Sequence, residues 1–172
     1  DISELPYSGI CAGWGWNSYL DMTICRGIKI INNRIENVLQ KMWDGGGIYT
    51  LGPQFESVIQ GNYISNIDNY VSALYFDTGT SYFNVSNNVL EDVPFSYIGG
   101  SSYNKGIFIT NNYSTAPDGQ VANLAANSTD GVAESTHTFV EGNYPKQAID
   151  IIERAGLELS YQHLKSEIPA AA

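Results

Sequence analysis

Positive charge is the scarcest ingredient of this chain. Eight Lys and Arg face 18 Asp and Glu, a formal net charge of −10, and only 15% of residues are charged. So acidic a surface repels a phosphate backbone, which argues against nucleic acid as a partner. A polyanionic glycan such as pectate would need a basic patch or a bound cation, and the sequence has no dense Lys/Arg cluster. Neutral sugars are indifferent to this charge. No run of about 18 apolar residues occurs, so no membrane span is expected. The two histidines, His137 and His163, make no ligand pair, and no zinc cluster is present. Nucleophilic serine motifs and phosphate loops are also missing. No metal and no cofactor are therefore expected. Cys11 and Cys25 suit a disulfide and two separate thiols equally.

Asn, Gly, Ser and Tyr fill the space left by charge, beside a hydrophobic fraction of 43%. Small polar residues and aromatics without charge suit a β-rich chain with many turns. One pattern recurs: an apolar alternation, an Asn-containing turn, then another apolar pair. It reads Ile28 to Ile35, Val58 to Ile64, Phe83 to Leu90, Ile107 to Tyr113 and, more weakly, Phe139 to Tyr144. The second Asn of each copy falls at 33, 62, 88, 112 and 143, in steps of 29, 26, 24 and 31 residues. Steps of this size fit a solenoid coil of three short strands and three turns. Hairpins of a sandwich would recur every 8–12 residues instead. Asn suits such a turn because it tolerates the left-handed backbone. Stacked coils would also place successive amides about 4.8 Å apart, forming an asparagine ladder inside the solenoid.

A second strand recurs between the Asn turns, around Ile10, Ile48 and Leu74. Period two puts these three inward and Tyr49 and Tyr75 outward together. The stretch 114–136 breaks the pattern and reads as a loop or a poorly formed coil. From Lys146 the period becomes helical. Ala148, Ile149, Ile152 and Ala155 share a face, Gly156 suits the C-cap, and a second short helix fits Ser160 to Lys165. The expected fold is all-β, a right-handed parallel β-helix. Coils occupy 1–145, and a helical cap and tail over 146–172 covers the open end of the last coil. Asp1 opens the chain inside a repeat with no capping element before Tyr7, so further N-terminal coils are expected in the parent chain.

Several of these segments resemble a known family. They are Pro6 to Ile10 followed by Gly13-Trp14-Gly15-Trp16, the run from Asn37 to Gly52, Gly61 to Ile64, and Leu74 to Asp77. Together they resemble the C-terminal coils of bacterial β-helix glycoside hydrolases of the pectate-lyase-like superfamily, the kind that includes α-L-fucosidases, xylanases and β-xylosidases. The likeness covers roughly residues 5–93, with a similar closing helix. Its most specific piece is Asp44-Gly-Gly-Gly-Ile-Tyr-Thr-Leu-Gly52. The resemblance implies export to the cell exterior or periplasm, poly- or oligosaccharide substrates and two catalytic carboxylates. It does not imply one sugar, because the same fold carries lyases and phage tailspikes.

Glycoside hydrolysis uses two carboxylates across the scissile bond. The family-like motifs offer Asp44 and Asp77. The three glycines after Asp44 would let a sugar approach the backbone closely. As plain structure, both aspartates read as turn residues, in Asp-Gly and Asp-Thr-Gly. Two registers are open. Laying Asp44 on Asp77 stacks the pair on adjacent coils. Laying Ile48 on Leu74 displaces them by seven positions, unless the glycine turn folds Asp44 back. Trp14, Trp16, Trp43, Tyr49 and Tyr75 are candidate sugar-binding aromatics, because apolar sugar faces stack on rings. Asp21, Glu36, Glu56, Glu91 and Asp92 lack a motif and read as solvated surface. Two other functions compete: a non-catalytic glycan-binding or adhesin-like β-helix, and a polysaccharide lyase fragment. A lyase would want a basic residue in the groove, where Lys41 is the only neighbour of the motif.

Overall fold

A computed structural model describes residues 1–13, 24–67, 71–99, 103–116, 132–134, 137–140 and 143–167. Every strand pair in it is parallel, so a hairpin sandwich is excluded. The first coil is β1 (Ile2–Ser3), β2 (Ile10–Ala12) and β3 (Lys29–Ile31); the second is β4 (Arg34–Glu36), β5 (Gly46–Thr50) and β6 (Pro53–Gln60). The third is β7 (Tyr63–Ser65), β8 (Ser72–Phe76) and β9 (Ser81–Ser86); the fourth is β10 (Val89–Glu91), β11 (Phe95–Gly99) and β12 (Ile107–Thr110). β13 (Asn112–Ser114), β14 (Val132–Glu134) and β15 (His137–Phe139) continue the stack. Corresponding strands form three sheets: sheet A is β1-β4-β7-β10-β13-β15, sheet B is β2-β5-β8-β11, and sheet C is β3-β6-β9-β12-β14. The chain is a parallel β-helix.

Strand alternation builds the core directly. Each sheet sends one apolar column inward: Ile2, Ile35, Ile64 and Leu90 from sheet A; Ile10, Ile48, Leu74 and Tyr97 from sheet B; Ile30, Ile59, Val85 and Ile109 from sheet C. From the second coil onward these residues are essentially fully buried. Each full burial contributes about 1.5–3 kcal/mol. β-Branched residues dominate the columns because their fixed χ1 packs well on a pleated surface.

The Asn turns divide their labour. Asn32, Gly61, Asn87 and Asn111 adopt the left-handed conformation. The following residues, Asn33, Asn62, Asn88 and Asn112, form the ladder. Asn33 Nδ2 donates to Asn62 Oδ1, Asn62 Nδ2 to Asn88 Oδ1 and Asn88 Nδ2 to Asn112 Oδ1, each at 2.9 Å. The backbone N–H groups of Asn33, Asn62 and Asn88 donate to those same oxygens at 2.9–3.0 Å. The expectation gave both tasks to one residue; the first of each pair makes the bend and the second makes the ladder. The fifth member also differs. Asn112 pairs with His137, and Asn143 is exposed beyond the last strand. A second stack of left-handed residues, Glu4, Asn37, Asn66 and Asp92, follows the sheet A strands.

The helix α1 (Lys146–Arg154) begins where the period changes, with Gly156 in the left-handed region just beyond it. Its buried face is Ala148, Ile151 and Ala155, whereas Ile149 is exposed, so the face is rotated from the expected one. The reason is its position. α1 lies along the outer face of sheet A, packing on Tyr63 and Val89, rather than across the end of the last coil. A 3-10 helix follows at Leu159–Glu167. Residues 114–136 are described only at 114–116 and 132–134, where β13 ends and β14 joins sheet C.

Candidate functional site on the outer face of sheet B

The register of sheet B settles the alternatives left by the sequence. Ile48 lies opposite Leu74 and Tyr49 opposite Tyr75. Cys11 precedes this outward column and Ile98 follows it. The tyrosine rings meet edge to face, 5.4 Å between centroids and 82° between planes.

Asp44 reaches the same face because the loop before it is pinned backwards. Leu39 and Asp44 take positive φ, at 63° and 59°. Amides of Leu39, Gln40, Lys41 and Met42 donate to carbonyls of Tyr7, Leu5 and Pro6 on the first coil. Asp44 Oδ1 then accepts the Tyr75 hydroxyl at 3.0 Å, and its carbonyl accepts the Tyr7 hydroxyl at 2.8 Å. Asp77 closes β8 in a turn with Thr80 N–H on its carbonyl, and its Oδ1 accepts Thr78 N–H at 2.6 Å. Its Oδ2 accepts the Tyr49 hydroxyl at 2.5 Å. The pairs therefore cross between coils: Tyr49 of the second coil holds Asp77 of the third, and Tyr75 of the third holds Asp44 of the second.

Tyr7 belongs to the family-like segment Pro6 to Ile10, and its contact across 37 residues with Asp44 is what places it in the site. The phenols of Tyr49 and Tyr75 are pushed far above their ordinary value, first by burial and then by the hydrogen-bonded carboxylates. Tyr7 is raised as well, chiefly by burial. All three are therefore donors at neutral pH, not bases. Asp44 is exposed and Asp77 half-buried. Trp43, beside Asp44, is 75% exposed, which suits a stacking platform and not a core residue. Trp14 and Trp16 lie outside the described residues. Among the described residues no three His, Cys, Asp or Glu side chains converge as a metal site.

The glycine run has a different purpose from the one expected. Gly45, Gly46 and Gly47 are buried. A Cβ at Gly45 would meet Ser8 Oγ at 2.4 Å, at Gly46 Tyr75 Cβ at 2.9 Å, and at Gly47 Ile64 Cγ2 at 2.6 Å. These glycines admit neighbouring side chains and backbone of the protein itself. Cys11 and Cys25 are not bridged.

A second tyrosine–carboxylate cluster lies on sheet A. Glu91 Oε2 accepts the Tyr63 hydroxyl, and Glu91 Oε1 accepts the Tyr144 hydroxyl at 2.6 Å. Arg34 covers the Tyr63 ring at 4.4 Å and pairs with Glu36 at 3.2 Å. Arg34 also donates to the Ile152 carbonyl at 2.7 Å, next to α1. Glu36 and Glu91 are thus structural acceptors and not solvated surface, whereas Glu56 is an exposed partner of Arg26.

No family model matches the sequence, and no curated protein does. A solved structure described as a glycoside hydrolase is similar in fold, with a TM-score of 0.54 and 23% identity over 92% of this chain. The match spans only 22% of that structure's length, so what the likeness shows is the β-helical fold.

Proposed function

We propose that this chain is part of a longer, exported carbohydrate-active β-helix, and that the outer face of sheet B cleaves glycosidic bonds with Asp44 and Asp77. The crossed tyrosine–aspartate pairs carry the reading. They bring two carboxylates from different coils onto one open face, beside an exposed tryptophan. Asp44 is the proton-transferring group, because it is exposed and its Oδ2 accepts no hydrogen bond from the described residues. Asp77, held by Tyr49 and Thr78, is the fixed carboxylate that faces the positive charge developing on the sugar. The parallel β-helical fold shared with a glycoside hydrolase supports the reading of a carbohydrate-active β-helix, and the roles of the two aspartates rest on the site geometry alone. Two carboxylates, three phenol donors and the overall charge of −10 favour a neutral glycan over a polyuronate.

The test is hydrolysis of aryl fucosides, aryl xylosides and xylan by the chain and by Asp44→Asn and Asp77→Asn, with glycan binding measured by calorimetry in parallel. Turnover lost in both variants with binding retained supports the reading; turnover that survives both sinks it. One observation favours a binding module instead. Both oxygens of Asp77 are already occupied by donors, as a structural turn requires. Glycan bound without turnover by the unsubstituted chain would select that reading.

A further inference from the structure

The two ladder ends are chemically unequal. Asn62, Asn88 and Asn112 each use Nδ2 to reach a carbonyl in the preceding coil, respectively Ile30, Ile59 and Val85, at 3.0–3.1 Å. Each also accepts two donors on Oδ1 from the preceding asparagine. Asn33 does neither. Its Nδ2 turns to the carbonyl of Ile31, two residues away, at 3.3 Å, and its Oδ1 accepts nothing from the described residues.

The apolar columns of sheets A and B stop at the same level, whereas Ile30 of sheet C is buried. Ile2, Leu5, Tyr7, Ile10, Ala12 and Ile28 touch the core yet are only partly buried. Their successors Ile35 and Ile48 are 0% and 1% exposed. Among the described residues β1, β2 and β3 are the terminal strands of their sheets, paired on one side. The C-terminal segment arrives at this end too. Gly156 N–H donates to Asn32 O at 2.7 Å, Leu157 N–H to Asp1 Oδ1 at 3.3 Å, and Lys165 Nζ pairs with Asp1 Oδ2 at 2.8 Å. Beyond Gly156 the 3-10 helix carries Leu159 and Tyr161, 87% and 54% exposed.

We infer that the end formed by β1, β2 and β3 is a docking surface for one more parallel coil, whose terminal turn carries an asparagine donating from its backbone N and Nδ2 to Asn33 Oδ1. The occupant is the coil that precedes Asp1 in the parent chain. Its chemistry is set by what it must complete. It supplies three strands in parallel register, an aliphatic side chain over each of Ile2 and Ile10, and a carbonyl for Asn33 Nδ2. The exposed Leu159 and Tyr161 flank it. This inference rests on the reading of the chain as part of a longer β-helix, and is independent of any sugar chemistry.

The test lengthens the chain. Because Ile2 is in register with Ile35, Asp1 stands at the level of Arg34. A copy of residues 34–62 joined ahead of Asp1 therefore places its Asn62 in the proposed donor position. Hydrogen exchange of the β1, β2 and β3 amides is expected to slow by roughly tenfold or more. The melting temperature should rise by about 5 °C or more. With Asn62→Leu in the added copy only, the gain should fall by at least half. An added coil that is cleaved by protease while β1–β3 exchange stays unchanged overturns the inference. Equal gains with and without the added asparagine overturn the ladder as the recognition element. If β1–β3 protection in the unextended chain rises with protein concentration, the occupant is a second copy and the proposal fails. Glycan cleavage is not a readout here, so this result and that of the hydrolysis assay stand apart.

Discussion

Sheets A and B carry the same chemistry on their outer faces and use it differently. On sheet A, Glu91 gathers the hydroxyls of Tyr63 and Tyr144 beneath α1, with Arg34 over the ring of Tyr63. On sheet B, Asp44 and Asp77 take one tyrosine each, and no helix among the described residues lies over them. In the first case tyrosine and carboxylate fasten one segment of the chain to another. In the second each tyrosine holds an aspartate of the neighbouring coil, with no helix among the described residues above it. A tyrosine–carboxylate pair is therefore no mark of function by itself.

The comparison can be broken most directly by turnover. Asp44→Asn should lower hydrolysis by roughly 1,000-fold, the midrange for a general acid or base, while Glu91→Gln should change it less than about twofold. Equal losses would erase the distinction between the faces.

Stability should show the reverse. Glu91→Ala strips the acceptor from two partly buried hydroxyls and should cost about 2–3 kcal/mol in denaturant unfolding. Asp44→Ala, whose carboxylate is exposed, should cost less than about 1 kcal/mol.

Alkaline titration sharpens the comparison. Tyr63 is pushed up to about 12 by burial and then by Glu91, from an ordinary value of 10.0. A folded-state value above the unfolded one means that the unfolded chain loses the proton first. The stabilisation is complete below pH 10 and is lost as pH rises through 12. Denaturation midpoints should fall over that window, and with Glu91→Gln the ultraviolet titration of Tyr63 should move part of the way back toward 10. An unmoved titration would assign the whole shift to burial.

The smallest effect expected is on Trp43→Ala, which should weaken glycan binding about fivefold with no change in melting temperature, as loss of one stacking contact implies. A fall in stability would place the ring in packing instead.

Much of the fold was legible because a solenoid repeats its instructions locally. The ladder positions 33, 62, 88 and 112, the inward column Ile10, Ile48 and Leu74 and the outward pair Tyr49 and Tyr75 all follow from spacing and parity. What spacing could not reveal depends on contacts distant in the chain. The rotation of α1 toward Ile151 is set by Tyr63 and Val89 on sheet A. The fold-back of Asp44 is set by carbonyls of the first coil, and the glycine run by Ser8, Ile64 and Tyr75. The residue in register with Asn112 is His137 and not Asn143, because strand pairing, not the Asn pattern, fixes the last register. Glu91 was missed for the same reason: Tyr144 reaches it from 53 residues away.

The C-terminal segment that runs from the fourth coil back to Asp1 changes how the stack should come apart. An array in which each coil touches only its neighbours frays from either end, one coil at a time. Here Tyr144 is anchored on Glu91 of the fourth coil, Arg34 of the second binds Ile152, and Lys165 binds Asp1 of the first. The strap closes a linear array into a loop. Opening the first coil must also release its contacts with the strap, so the coils should melt more nearly as one cooperative unit than an unstrapped array would.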